Sequence, residues 1–186
     1  MSLKPFFDLA SGFERKISSH MNAIAYLVAT TGLVGHLKPG SGTWGSLAAL
    51  PMAWMLHVLG GATLLLAASV VLFFIGVWAT QRLTSGKDNH DPSYIVIDEV
   101  VGQWVALLPV SVGATHSGAG VLDLWPGWVA AFVLFRLFDI TKLGPVGWAD
   151  RREDALGVML DDVVAGVFAA LGVGALAYLA HGVLGL

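Results

Sequence analysis

The sequence predicts an all-α membrane protein, a polytopic helical bundle with about four to five membrane-embedded helices. Composition is the first reason. Charged residues make up 12% of the 186 residues and apolar residues 56%, with a mean hydropathy of +0.74. A soluble domain carries about 25% charged residues, and this chain cannot cover itself with such a shell. The second reason is the length of its uncharged stretches. Ser46–Gln81, Val100–Leu122 and Val163–Leu186 contain no Lys, Arg, Asp or Glu, and each exceeds the ~20 apolar residues that a spanning helix needs. The third is that the charged residues cluster between these stretches.

The length suits one domain. Residues 21–186 are expected to form a single membrane-embedded unit, preceded by a cytoplasmic or interfacial segment over residues 1–20. Ile17–Leu37 is also free of these charges but is interrupted by His20, Asn22 and His36. It is read as lying in the interface or re-entering, and no signal peptide is recognised before it. Ser46–Gln81 is too long for one span. Gly60-Gly61 divides it into a helix over Ser46–Leu59, with Pro51 in its early turns, and a helix over Ala62–Leu83. A third helix is expected from Asp98 to about Pro109, and Val110–Leu124, rich in Gly and Ser, reads as a loop. Pro126, a good first-turn residue, opens a helix to Asp139. A last helix runs from about Gly157 to Ala180.

Threaded back and forth, these helices put Lys38, Arg82, Lys87, Arg136, Lys142, Arg151 and Arg152 on one face. The other face keeps Asp123 as its charged side chain. An excess of Lys and Arg marks the cytoplasmic side, so the polar segments 38–46, 88–99, 136–142 and 150–162 are expected to meet there. Lys4, Arg15 and Lys16 join them if the N-terminal stretch does not span.

Absence of cysteine excludes disulfides, thiol nucleophiles and thiolate zinc sites. The net charge of −3 gives no nucleic-acid footprint. Two acidic pairs stand out instead. Asp98-Glu99 and Asp161-Asp162 sit in similar apolar settings, Ile97 before one and Leu160 before the other, with Val-Val following each. Capping of a helix N-terminus explains one such pair. Two adjacent carboxylates among apolar residues repel each other, and burial penalises their charge. A divalent cation relieves both problems, and oxygen ligands suit magnesium or calcium. Arg136, Asp139 and Lys142 follow at helical spacing, either as an internal ion-pair group or as a phosphate grip in which Asp139 orients Arg136 or joins the metal. Lys38 through Ser46 supplies glycines, hydroxyls and a lysine before a helix N-terminus, where an anion is favoured. The order Gly-Lys-Ser/Thr of a Walker loop is absent. His90 precedes the first acidic pair and reads either as an acid or base near neutral pH or as a solvated loop residue.

Four blocks in this order resemble the phosphatidylglycerophosphatase A family of bacterial membrane enzymes. They are Pro39–Leu47, Asp91–Gly102, Phe135–Asp139 with Lys142, and Gly157–Gly166. Lys142-Leu143-Gly144-Pro145-Val146 stands where the family usually has Lys-Pro-x-Pro-Ile, and Glu153–Leu156 replaces its Gly-rich turn. The resemblance implies a magnesium-dependent hydrolase that removes the terminal phosphate of phosphatidylglycerophosphate at the inner face of the bacterial membrane. Asp98, Glu99, Asp161 and Asp162 are the expected catalytic carboxylates, holding magnesium together with Asp139. Lys38, Thr43, Ser46, Arg136 and Lys142 are the expected phosphate-binding residues. A small membrane transporter with acidic intramembrane sites is the alternative, and it leaves the gathering of cations on one face unexplained.

Overall fold

Residues 18–183 are described by a computed structural model of the chain. Lys4, Arg15 and Lys16 therefore lie outside the described residues, as do most of segment 1–20 and the last residues of the chain. Every regular element is helical among the described residues: α1 (residues 18–29), α2 (Ser41–Thr84), α3 (Ile97–Ser117), α4 (Trp125–Thr141), α5 (Pro145–Asp150) and α6 (Ala155–Ala177). A single 3-10 turn at Val34–His36 follows α1, and a π-turn at Tyr178–Val183 extends α6.

α2 is two helices joined at the glycine pair. Gly61 has φ 63 and ψ −156, and Gly60 is also non-helical. Only glycine enters such a region without a Cβ penalty. The chain turns back there, as side-chain neighbours along the two arms demonstrate. On the first arm Gly45 lies against Val96, the Ala49 carbonyl accepts from Trp104 Nε1 at 3.0 Å, and His57 Nδ1 meets Ser111 Oγ at 2.6 Å. The first arm therefore runs parallel to α3. Gly76 on the second arm is back at the level of Ile97 and Met159. In the same way α4 descends, with Gly127 against Val110 and Phe135 against Gly102, and α6 ascends, with Gly166 against Gly102 and Val105. The alternation expected from the sequence is the one observed.

Two expectations need correction. α3 does not end near Pro109 but continues to Ser117, so residues 110–117 are not a loop. Proline removes one backbone donor and strains the turn before it. In an apolar solvent, however, an open loop would leave many more backbone groups unpaired than a helix with one proline. The serine and threonine hydroxyls that suggested a loop fold back onto their own helix instead: Thr115 donates to the Ser111 carbonyl and Ser117 to the Gly113 carbonyl, both at 2.8 Å. Gly118, left-handed at φ 68, ends the helix. The first helix starts at Ser41 rather than Ser46, directly after left-handed Gly40. This earlier start displaces Ser46 into the second turn.

Among the described residues, three helices are long and apolar enough to cross a membrane: Ser41–Thr84, Ile97–Ser117 and Ala155–Ala180. The most apolar window of the first is 11% buried within the protein and that of the last 22%. Leu59, Phe74 and Leu171 project freely. A soluble protein does not expose apolar area of this extent. α3 is the central element, 67% buried in its window. Its Gly102 is the point of closest approach. A Cβ there would lie 2.6 Å from the Asp162 carbonyl oxygen and 2.5 Å from the Phe135 ring. Closure of α3 on α6 and α4 thus depends on a bare backbone, as in other tightly packed membrane helices. It also brings the first turn of α3 beside the second turn of α6, where the acidic pairs stand.

Candidate active site

Asp98 and Glu99 sit in the first turn of α3, and Asp161 and Asp162 in the second turn of α6. Neither member of the second pair caps its helix. That task falls to Asp154, whose carboxylate accepts from the Gly157 N–H at 2.7 Å. The bland explanation is therefore removed for Asp161-Asp162. Both pairs are built alike: Asp98 Oδ1 accepts from the Glu99 N–H at 3.0 Å, and Asp161 Oδ1 from the Asp162 N–H at 2.9 Å.

Carboxylate oxygens of Asp98, Glu99 and Asp162 all lie within 4.8 Å of one another. Asp98 and Asp162 are buried and Glu99 half-buried. Glu99 Oε2 and Asp162 Oδ1 have no hydrogen-bond partner although they are shielded from solvent. Such oxygens cost several kcal/mol when charged and unpaired, and these three carboxylates could hold a cation between them. An all-oxygen donor set of this kind suits magnesium. Gly42 on α2 makes room for the Glu99 carboxylate. A Cβ on this residue would collide with Glu99 Oε1 and stand 3.1 Å from Arg136 Nη1.

Asp139 and Asp161 have a different occupation. Asp139 accepts from Arg136 Nη1 one turn before it on α4, and Asp161 accepts from Lys142 Nζ. Lys142 Nζ also lies 3.5 Å from Asp139 and 3.2 Å from Asp150. Burial by itself would lower the pKa of Lys142, but Asp161, Asp162 and Asp139 outweigh it and hold the ammonium above its usual value. Lys142 ends α4 at φ 48, in the left-handed region that a residue with a Cβ seldom occupies. Such strain is concentrated at functional positions. Here it points the side chain back into the acidic cluster. Arg136 keeps Nε buried and unpaired, leaving a donor to spare.

A cavity of about 190 Å³ joins these groups, lined by Ser41, Asp91, Ser93, Ile95, Asp98, Glu99, Asp139, Lys142, Asp161 and Asp162. Of the expected phosphate-binding residues, Lys142 lies in its wall and Arg136 borders it through Asp139 and Gly42. Lys38, Thr43 and Ser46 are not part of the lining. Lys38 is exposed on the segment before α2, Thr43 lies within the first turn, and Ser46 donates its hydroxyl to the Gly42 carbonyl at 2.9 Å. Ser41, Asp91 and Ser93, without a role in the sequence reading, line that part of the cavity. Ser41 starts α2 and donates to the Ser93 carbonyl at 2.5 Å, tying the glycine-rich segment to the segment before α3. Asp91 and Ser93 complete that edge. The Gly-rich composition of 38–46 and the Asp-Pro of 91–92 marked the segments but not the residue within each. His90 is not in the lining.

Fold and site together define a polytopic helical membrane protein with a buried carboxylate cluster and two cationic side chains beside it at one end. The sequence model of the family described as Phosphatidylglycerophosphatase A matches residues 27–177, and the chain belongs to that family. It is accordingly an enzyme, a phosphatase, and the transporter alternative is set aside. Over 146 residues it is 36% identical to a protein of Haemophilus influenzae named phosphatidylglycerophosphatase A, covering 77% of this chain and 83% of that one. The Escherichia coli protein of the same name is 34% identical over 142 residues, 75% and 74% of the two chains. A Bacteroides thetaiotaomicron protein named putative phosphatidylinositol-3-phosphatase is 43% identical over 132 residues, 68% of this chain and 77% of its own. No solved structure matches the chain.

Proposed function

We propose that the protein hydrolyses phosphatidylglycerophosphate to phosphatidylglycerol and inorganic phosphate, with magnesium, at the cytoplasmic face of the bacterial inner membrane. The observation that carries this reading is the convergence of Asp98, Glu99 and Asp162 beside Lys142 in one cavity. The names of the Haemophilus and Escherichia relatives supply the substrate. The gathering of the cations at the site end supports a cytoplasmic orientation.

Asp98, Glu99 and Asp162 would hold the magnesium, which supplies charge to polarise the phosphoryl oxygens and to favour attack by water. The chain's own residues do the rest. Lys142 draws the phosphomonoester into the cavity, trading part of its contact with Asp161 and Asp150 for phosphate oxygens. Arg136, anchored by Asp139, offers its spare N–H groups to the equatorial oxygens, where charge accumulates in the transition state. Asp139 and Asp161 act as orienting partners for these two cations. Ser41, through Ser93, holds the cavity edge in place. Water adds to phosphorus, the bond from phosphorus to the glycerol oxygen breaks, that oxygen takes up a proton from the water, and phosphatidylglycerol and inorganic phosphate are released.

Phosphate release by detergent-purified protein tests this directly. Release from phosphatidylglycerophosphate is expected with magnesium and not with excess chelator. Turnover undiminished by the chelator would remove the metal from the reading. The Bacteroides relative's name makes phosphatidylinositol 3-phosphate the second substrate to assay. Faster turnover of that lipid would transfer the assignment to it.

A further inference from the structure

α1 is tied to the site end of the bundle at two points. Arg82 at the foot of α2 donates to Ser18 Oγ at 3.3 Å, and the Ala29 carbonyl accepts from the Val96 N–H at 2.8 Å. Residues 18–29 therefore stay at that end instead of rising through the bundle. The chain then turns back along the cavity edge. Gly35 is pressed on the Tyr94 carbonyl, and His36 stacks on Tyr94 with ring centroids 6.0 Å apart. His36 Nε2 meets Tyr26 Oη at 2.7 Å. This polar aromatic group borders Ser93 and Ser41, both in the cavity lining.

Ile24, Leu27, Leu33 and Leu37 protrude around it, each about half exposed. Leu33 does so in a left-handed conformation, φ 77, which is unfavourable for a branched side chain. Exposed Lys38 follows Leu37, and exposed Arg82 stands at the other end of α1. Leucines, polar aromatic rings and flanking cations in this order suit the interface of an anionic bilayer. Lysine and arginine at the two ends supply the charge complementarity.

We propose that residues 24–37 with Tyr94 form a lipid-seated rim that rests on the anionic bilayer surface and holds the acyl-glycerol end of the substrate while its phosphate enters the cavity. The proposal rests on the lipid-phosphatase reading. It adds that selection for membrane-embedded substrate resides in this rim and not in the carboxylate cluster.

The test uses the full-length protein in detergent with two substrates: dioleoyl phosphatidylglycerophosphate in mixed micelles, and the dihexanoyl form as dissolved monomers. For the Leu33→Ser, Leu37→Ser double variant, kcat/KM on the dioleoyl substrate should fall by about tenfold, from the apolar contact removed. Turnover of the dihexanoyl substrate should be unchanged. Leu33→Met with Leu37→Met should restore the dioleoyl rate. Equal loss on both substrates, or no loss on either, overturns the rim. A wild-type protein inactive on both substrates is a separate result. It overturns the lipid-phosphatase reading and the rim's substrate with it.

Discussion

The two acidic pairs look interchangeable in the sequence and are used differently in the fold. Each begins with an aspartate that accepts from the next residue's N–H, and each stands near the start of a helix packed through glycine onto the other. The difference lies in what reaches them from α4. Lys142 bonds to Asp161 and takes one carboxylate out of the second pair, while Arg136 bonds to Asp139 and stops beside Glu99. Three carboxylates are left converging, two of them with unpartnered buried oxygens. The second pair is thus two positions with different partners, separated by the lysine that ends a third helix.

That division can be broken from either side. Asp162→Asn should have the largest effect, a loss of more than about a hundredfold in kcat, because ligand loss exceeds the 10–100-fold typical of the residues behind a ligand. The protein should still insert and elute as the wild type does. Asp161→Asn should instead raise KM about tenfold by removing the carboxylate that orients Lys142 towards the cavity, with a smaller change in kcat. Equal damage to kcat from both substitutions would erase the distinction between the pairs.

Gly102→Ala probes the contact that holds the pairs together. Its methyl group would overlap the Asp162 carbonyl and the Phe135 ring, and overpacking of this kind costs about 1–3 kcal/mol. A lowered thermal midpoint in detergent is expected, with activity falling alongside. Asp154→Ala has the smallest effect. It removes the cap of α6 and should cost about 1 kcal/mol while leaving KM alone. Arg152 first, and the Gly157 N–H second, hold the Asp154 carboxyl below the usual carboxylate range. Its stabilisation is therefore present above the ordinary carboxylate pKa and is lost as pH falls through the lowered value. Because the pair is exposed, only a slight pH dependence is expected in the melting of wild type compared with Asp154→Ala.

The site's carboxylates and cations were legible in the sequence because ionisable residues amid apolar ones have few reasons to be there. Asp98, Glu99, Asp162, Arg136 and Lys142 all converge as that argument requires. Ser41 was missed because the helix start was placed at Ser46. Gly40 sits one residue before the true start, but the glycines after it read as loop rather than as helix with a close neighbour. Pro109 and the Gly-Ser run after it misled for a related reason. They break helices in water, where a freed backbone group finds a solvent partner, and that partner is missing in lipid. The split between Asp161 and Asp162 was beyond the sequence altogether. It depends on a left-handed residue at the end of α4 and on where its side chain lands.

Manganese binding followed by electron paramagnetic resonance tests the central claim most directly, with the ion standing in for magnesium at an oxygen site. Wild type and Asp161→Asn should both bind the ion, and Asp162→Asn should not. Binding retained by Asp162→Asn, or lost equally in both variants, would contradict the assignment of Asp98, Glu99 and Asp162 as the metal-holding set.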